Sequence, residues 1–449
     1  MRQWDAQQVA RAAGARLLET TDGPGPDRVM IDSRMVTPND LFVGLRGEHL
    51  DGGAHAPAAL AAGAWGVLVS DAHATALGDV QGAAVLAHPD PLKGLQELAR
   101  AWREELGAQV IAITGSVGKT STKDILAALI GSHRRTVCSP ENFNTEIGMP
   151  LAILAAPEDT EVLVLELAMR GPGQIAQLTE IASPDVGVIT NIGPVHLELL
   201  GSLEAIAAAK AELIAGMAPT ATIVIPAAEP LLEPHRRPEQ RVITFGGEGD
   251  VRLIERTEDG RVRIAHGQEI ITLRPSFSQS HNLENLLAAV AAAQALDITP
   301  TGELQVAFST WRGERLELGR EIVLINDCYN ANPISMRAAL QELQRSAPAR
   351  RVAVLGDMLE LGPEADAFHR QLGEYAHRCG VQLLVTVGPL AARMREQFGG
   401  EAHSVPDADA ATALLESLLA PRDTVLVKGS RGVGLERIAA ALDTQRKGS

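Results

Sequence analysis

The sequence predicts an α/β protein of three domains. Three observations carry that prediction. The chain has 449 residues, too many for one ordinary core. Short apolar runs of the buried-strand type alternate with helical stretches, the pattern of parallel sheets covered on both faces. The pattern breaks near Gly107 and near Gly319. The expected units are a small N-terminal α/β domain over 1–108, a central P-loop parallel-sheet ATPase domain over 109–318, and a C-terminal Rossmann-like α/β domain over 319–449.

In the first unit, 29–31 and 41–43 read as strands separated by the turn residues Thr37-Pro38-Asn39-Asp40. A helix over 54–62 stops at Gly63, 66–69 is a buried strand, and a long helix over 91–106 closes the unit. In the second unit, 110–113, 161–166 and 186–190 are buried strands, and a helix over 119–130 follows the first of them. Between 250 and 273 the pattern turns to short polar strands, before a helix over 281–296. In the third, strands at 321–326, 351–355, 383–387 and 424–427 alternate with helices at about 333–346, 364–380 and 407–419.

Composition narrows the function classes. The formal charge of −16 argues against nucleic acid or an anionic membrane as a partner through the overall field. The three cysteines, Cys138, Cys328 and Cys379, have no metal-type spacing and fit a reducing cytoplasm. The opening MRQWDAQQVARAAG lacks an apolar signal core. No run approaches the ~18 apolar residues that span a bilayer. A soluble cytoplasmic protein without membrane insertion, and a monomer, is expected.

The stretch Thr114-Gly115-Ser116-Val117-Gly118-Lys119-Thr120-Ser121 joins a buried strand to a helix, the setting a phosphate loop needs. Glycines let backbone N–H groups curl around phosphate oxygens, and the helix N-terminus adds its positive end. Lys119 can reach the β- and γ-phosphates of ATP, and the Thr120 hydroxyl can hold Mg²⁺. The first glycine of the longer GxxxxGK[ST] pattern is absent, because Ile113 stands there. Two other strands end on chemistry-bearing residues, Glu166 and, after Thr190-Asn191-Ile192-Gly193-Pro194-Val195, His196. Side by side, these strand ends gather Thr120, Glu166 and His196 at one point. Glu166 is a natural Mg²⁺ ligand there, or else one half of an ion pair with Arg170. His196 is a structural imidazole or a ligand, and imidazole also suits Mn²⁺. In AIAAAKAELI (205–214), Lys210 shares a helix face with Ile206 and Ile214. Its stem packs there and the ammonium snorkels out, or the lysine works buried.

Ten segments, among them TGSVGKTSTKD (114–124), ENFNTEIGMPLAIL (141–154), LELAMRGPGQI (165–175), PDVGVITNIGPVHLELLGS (184–202), AAAKAEL (207–213), HNLENLLAA (281–289), RGERLE (312–317) and INDCYNANPISMRAAL (325–340), resemble the motifs of the Mur ligases in order. Those are ATP-dependent amide-forming enzymes of peptidoglycan precursor synthesis. DCYNANPISM is similar to the members that join D-alanyl-D-alanine to UDP-MurNAc-tripeptide. Two departures lie near the expected centre, Thr145 where many relatives have asparagine and Ala168 where many have glycine. Other members of the superfamily, such as folylpolyglutamate synthases or ligases of earlier peptidoglycan steps, are the competing reading.

The resemblance implies an acyl-phosphate mechanism with two Mg²⁺ ions. It implies catalytic roles for Lys119, His196 and Lys210, the last as a carbamate that ligates metal with Thr120, Glu166 and His196. It implies ATP contacts from residues 114–121, Asn282, Asn285, Arg315, Asp327 and Asn330. It implies substrate contacts from Ser33 and Arg34 at the UDP end and from Asn142, Asn144, Thr145 and Arg170. On the residues alone, Asn282 could be a helix N-cap and 327–330 a strand-end turn. Three units that supply UDP, ATP and amine sites imply that the third closes on the second.

Overall fold

The runs QVIAIT (Gln109–Thr114), VLVLE (Val162–Glu166) and VGVI (Val186–Ile189) are buried almost throughout and lie side by side as parallel strands. They centre a ten-stranded sheet in the computed structural model, which describes residues 1–447. From these strands the sheet runs one way through Thr222–Pro226 and Arg241–Phe245 to Val251–Arg256, Val262–His266, Glu269–Pro275 and Gly302–Leu304. On the other side it ends at Thr136–Cys138. The expected parallel sheet is mixed in fact, since the strands Val251–Arg256, Val262–His266 and Glu269–Pro275 pair antiparallel. Tight turns join them, and a parallel pair would need a long crossover instead. The helices Lys119–Gly131 and Ser280–Ala295 pack on each other over one face of this sheet.

The first unit is a five-stranded sheet in the order Arg16–Glu19, Ala84–Ala87, Gly66–Val69, Asp40–Val43, Arg28–Met30. Only Arg16–Glu19 is antiparallel to its neighbour. The helix Pro91–Leu106 has Asp90 as its N-cap and left-handed Gly107 as its stop. Trp102 on that helix donates Nε1–H to the Ala156 carbonyl at 3.1 Å and meets Trp4 edge-on at 5.4 Å. One apolar core runs without a break from the first unit into the second, through Leu98, Trp102, Met149 and Leu163.

The third sheet runs Glu314–Glu317, Val323–Asn326, Thr424–Lys428, Arg351–Gly356, Leu383–Val387, Glu401–Val405, and has cores of its own on both faces. It is parallel except for Glu314–Glu317, which pairs antiparallel with Val323–Asn326. That strand precedes the 318/319 break read from the sequence. Gly319, with φ +80°, makes a hairpin turn in which Ile322 N–H donates to its carbonyl at 2.9 Å. The break in pattern is therefore a turn within the third sheet. Among the described residues, no helix is long and apolar enough to cross a membrane.

Candidate functional site

A cleft of about 1070 Å³ lies between the second and third units. Its floor is the loop 116–121, at the carboxyl ends of the central strands. Gly115 has φ +145°, and a Cβ there would fall 1.9 Å from Thr190 Oγ1. Gly118 has φ +83°, and a Cβ there would fall 2.3 Å from Asn285 Oδ1. The loop thus needs glycine both for its conformation and for its contacts.

The end of the strand Val186–Ile189 clamps this loop. Asn191 accepts from Ser116 N–H through its carbonyl at 3.1 Å and from Val117 N–H through Oδ1 at 2.9 Å. Thr190 Oγ1 and Asn191 Nδ2 both donate to the Val117 carbonyl, and Gly193 N–H donates to Ser116 Oγ. Two backbone donors expected to face phosphate, those of Ser116 and Val117, are therefore already used. The N–H groups that open the helix Lys119–Gly131 remain for a ligand. Lys119 Nζ folds back onto the Gly115 carbonyl at 2.9 Å. Burial lowers the Lys119 pKa and Arg312 adds to this, against the pull of Glu166. Thr114 lies beneath the loop, its Oγ1 buried without a partner.

Glu166 is fixed at both oxygens. Thr120 Oγ1 donates to Oε2 at 2.6 Å and Asn144 Nδ2 donates to Oε1 at 2.9 Å. The alternative ion pair with Arg170 does not form. Arg170 is exposed on the cleft wall, and its N–H donates to Gln174 Oε1. Asn142 and Thr145 line the same wall, and the Thr145 hydroxyl accepts from Gly148 N–H at 3.4 Å.

Lys210 sits in the helix Leu203–Gly216 and is 2% exposed, so the snorkelling reading fails. Ile206 and Ile214 are buried beside it, as their spacing implies. Its ammonium has no hydrogen-bond or ion-pair partner among the described residues. Burial, then the charge of Lys119, holds its pKa well below the usual lysine value. His196, with φ +55°, lines the cleft, and its Nδ1 meets Glu360 Oε2 of the third unit. Burial lowers the His196 pKa, opposed by Glu360 and assisted by Lys119 and Lys210. Among the described residues, no three His, Cys, Asp or Glu side chains cluster as a metal site.

On the far wall, Asn282 and Asn285 are buried within the helix Ser280–Ala295. Asn285 Nδ2 donates to Asn282 Oδ1 at 3.3 Å. Gln279 holds the N-cap position, so Asn282 is not a cap. From the third unit, Asp327 pairs with buried Lys428 at 2.7 Å, and Lys428 also donates to the Asn330 carbonyl at 3.0 Å. Arg315 lines the cleft but donates to Ser346 Oγ at 2.9 Å. Sequence reasoning missed Arg312, which lies 4.0 Å over the Tyr329 ring and whose charge reaches Lys119. The motif RGERLE held that residue, but nothing local separated it from Arg315. Ser33 and Arg34 do not line the cleft. Asp32 accepts from the backbone N–H and guanidinium of Arg34, which holds its pKa down to about 2.

Three family models match in succession. Residues 27–103 match "Mur ligase family, catalytic domain", 113–293 "Mur ligase middle domain" and 311–431 "Mur ligase, glutamate ligase domain". The chain is 36% identical over 424 residues to the UDP-N-acetylmuramoyl-tripeptide–D-alanyl-D-alanine ligase of a Synechocystis species, covering 93% of this chain and 92% of that one. Its fold is similar to a crystal structure of MurF from Acinetobacter baumannii, with TM-score 0.87, 28% identity and coverage of 98% and 99% of the two chains. It is also similar to MurF ligase from Thermotoga maritima in complex with ADP, with TM-score 0.80, 28% identity and coverage of 94% and 98%. With matching models in sequence order and a relative aligned over nearly its whole length, the chain belongs to the Mur ligase family.

Proposed function

We infer that this chain is an ATP-dependent ligase that joins D-alanyl-D-alanine to UDP-MurNAc-tripeptide, forming ADP and phosphate. It works as a cytoplasmic monomer in peptidoglycan precursor synthesis, and so serves cell-wall biogenesis, cell shape and division. One observation carries the reading. A single cleft holds Lys119 and the Thr120–Glu166 pair from the second unit, and Arg312, Asp327 and Asn330 from the third.

A carboxylate is a poor acyl donor, because the oxide it would expel leaves badly. In the first step a substrate carboxylate oxygen attacks the γ-phosphorus. The bond to ADP breaks, and its electron pair leaves with ADP. In the second, the amine of the dipeptide attacks the acyl carbon. The tetrahedral intermediate expels phosphate with the C–O electron pair, and the nitrogen gives up a proton. Lys119 and the helix N-terminus hold the phosphates and cancel their charge, and Arg312 adds to this from the other side. Asn282, Asn285 and Asn330 hold adenine and ribose, and Arg315 and Asp327 reach the phosphates or ribose from the far side. Asn142, Asn144, Thr145 and Arg170 orient the peptide carboxylate, and Ser33 and Arg34 the UDP end.

The donor set fits Mg²⁺. The Thr120 hydroxyl and Glu166 carboxylate, 2.6 Å apart, are adjacent hard oxygen donors. His196 and Lys210 would hold a second ion, for which Mn²⁺ would suit the imidazole. Lys210 fits only after its neutral amine attacks CO₂ and loses a proton, which makes an N-carboxylate with two oxygens. An ammonium cannot ligate a cation, and burial without a partner favours the neutral amine that this step requires. Bound Mg²⁺ supplies charge cancellation on the phosphates and the substrate carboxylate.

The test is a direct assay. The protein is incubated with UDP-MurNAc-tripeptide, ATP, Mg²⁺ and one amine among D-alanyl-D-alanine, glutamate and diaminopimelate, and the products are weighed. A mass gain with the dipeptide alone is expected. Turnover with glutamate or diaminopimelate instead would replace the reading by another ligase of the superfamily.

A further inference from the structure

A neutral imidazole carries one proton on two nitrogens, and the partner of one nitrogen decides what the other can do. In this structure the partner of His196 comes from another unit. Glu360 Oε2 takes up Nδ1, while the ring borders the cleft beside the phosphate loop. The same segment meets the short helix Leu197–Leu200 after His196 through backbone, where Glu198 N–H donates to the Glu360 carbonyl at 3.3 Å.

The contact is built. His196 and Glu360 both sit in the left-handed region, with φ +55° and φ +62°. Neither is glycine, so each conformation is held against a backbone cost. Gly362 is also left-handed, and a Cβ there would press on the Glu198 backbone at 3.2 Å. The segment is braced from behind. Met358 N–H donates to Nε2 of buried His369 at 3.0 Å, and Leu359 N–H to Ser430 Oγ at 3.0 Å. An incidental surface ion pair of two mobile side chains needs none of this, and such pairs contribute little.

We propose that Glu360 is a positioning residue that the third domain supplies to the second within the same chain. It holds the His196 proton on Nδ1 and turns Nε2, with its lone pair, toward the cleft. The reading rests on His196 serving as a ligand for the second ion, the role proposed for it above. Its consequence is that His196 is fully set only when the third domain is docked. Readiness of the acyl-phosphate site is then tied to arrival of the domain that brings the amine. A carboxylate behind a ligating imidazole fixes tautomer and raises basicity in the same way elsewhere.

The test uses the full-length enzyme with ¹⁵N-labelled histidine. Long-range ¹H–¹⁵N spectra read the His196 tautomer without metal, with ATP, the UDP substrate and the dipeptide present to dock the third domain, and His196→Gln assigns the signal. In the unsubstituted enzyme the proton is expected on Nδ1. In Glu360→Ala, signal from the Nε2-protonated form should appear and kcat should fall about 10–100-fold. The KM for ATP should stay within roughly twofold, since the ATP contacts are untouched. Glu360→Gln, which keeps an acceptor oxygen, should retain the tautomer and recover part of kcat. An unchanged tautomer in Glu360→Ala overturns the proposal, whether or not kcat falls. A changed tautomer at full kcat overturns it too. If His196→Gln itself keeps normal activity, the underlying role of His196 fails instead, and the two failures are told apart.

Discussion

Lys210 makes an energetic argument that no other residue of the site makes as sharply. It is buried with no partner for its ammonium, so the fold prefers it neutral. Its folded pKa lies below its unfolded one. Between the two, the unfolded chain binds more protons, and stability rises with pH. The cost is complete below the folded value and vanishes near the unfolded pKa of about 10.4. Lys210→Met removes that cost and keeps the volume. In bicarbonate-free, chelator-treated buffer it should melt higher than the parent at neutral pH, with the gap narrowing toward pH ~10. Activity should fall by about 10²-fold or more, the scale of losing a charge-stabilising group at a reacting centre. Equal melting curves across pH, or retained turnover, would refute the account. The apolar face around this lysine was plain from Ile206 and Ile214 alone, because helical spacing is local. Arg312 and Glu360 were not, because what matters for each is a partner in a different unit.

At the scale of elements, the phosphate loop is held less by its own glycines than by the strand end beside it. Asn191 binds both the N–H and the carbonyl of Val117 through its side chain. Asn191→Ala should loosen the loop and raise the KM for ATP by roughly tenfold, as expected for about 1–2 kcal/mol of lost hydrogen bonding. An unchanged ATP KM in steady-state assays would remove Asn191 from that role. The loop itself was legible, since glycine, lysine and threonine between strand and helix form a local signal. Its clamp was not, because TNIGPVH names a strand end without saying what lies next to it.

The same contrast holds in the first unit. Asp40 reads as a turn residue, yet it opens the strand Asp40–Val43 with its side chain 1% exposed. Burial pushes its pKa up, but the Arg28 guanidinium and the Thr37 N–H and hydroxyl outweigh this and hold it below the usual value. The stability it contributes is present above the unfolded pKa and lost as pH falls through the folded one. Asp40→Asn should cost about 1–3 kcal/mol at neutral pH. The difference from the parent should narrow in calorimetric scans as the pH falls below the ordinary carboxylate range. A constant gap would show that geometry, not charge, is at stake. Long helices such as Pro91–Leu106 follow from periodicity. Short strands such as Thr222–Pro226 and Glu401–Val405 did not stand out, because a few apolar residues beside proline or glutamate look the same in a strand or a loop.

For the whole molecule, the distribution of cores says which part moves. The first and second units share one apolar core, whereas the third has its own on each face of its sheet. Separate cores make the third domain the one expected to move, since sliding it need not open either of them. The chain crosses to it after the strand Gly302–Leu304, and that crossing is tied down. Asp124 Oδ2 accepts from both the N–H and the hydroxyl of Ser309 at 2.9 Å. Asp124 lies on the helix that begins at Lys119, so the linker is anchored to the element whose N-terminus faces the phosphates. Asp124→Ala removes the anchor and should let the third domain sample wider positions. Small-angle scattering of the ligand-free variant should give a larger radius of gyration than the parent. ATP, the UDP substrate and the dipeptide together should compact both proteins to the same value. Turnover should drop with kcat and KM changing together, the behaviour of a hinge, by something on the order of tenfold in kcat/KM. If the variant scatters like the parent but is inactive, Asp124 acts on the phosphate helix and not on the linker. If no ligand set compacts either protein, the third domain does not close on the second at all, and the delivery of Glu360 to His196 must be permanent.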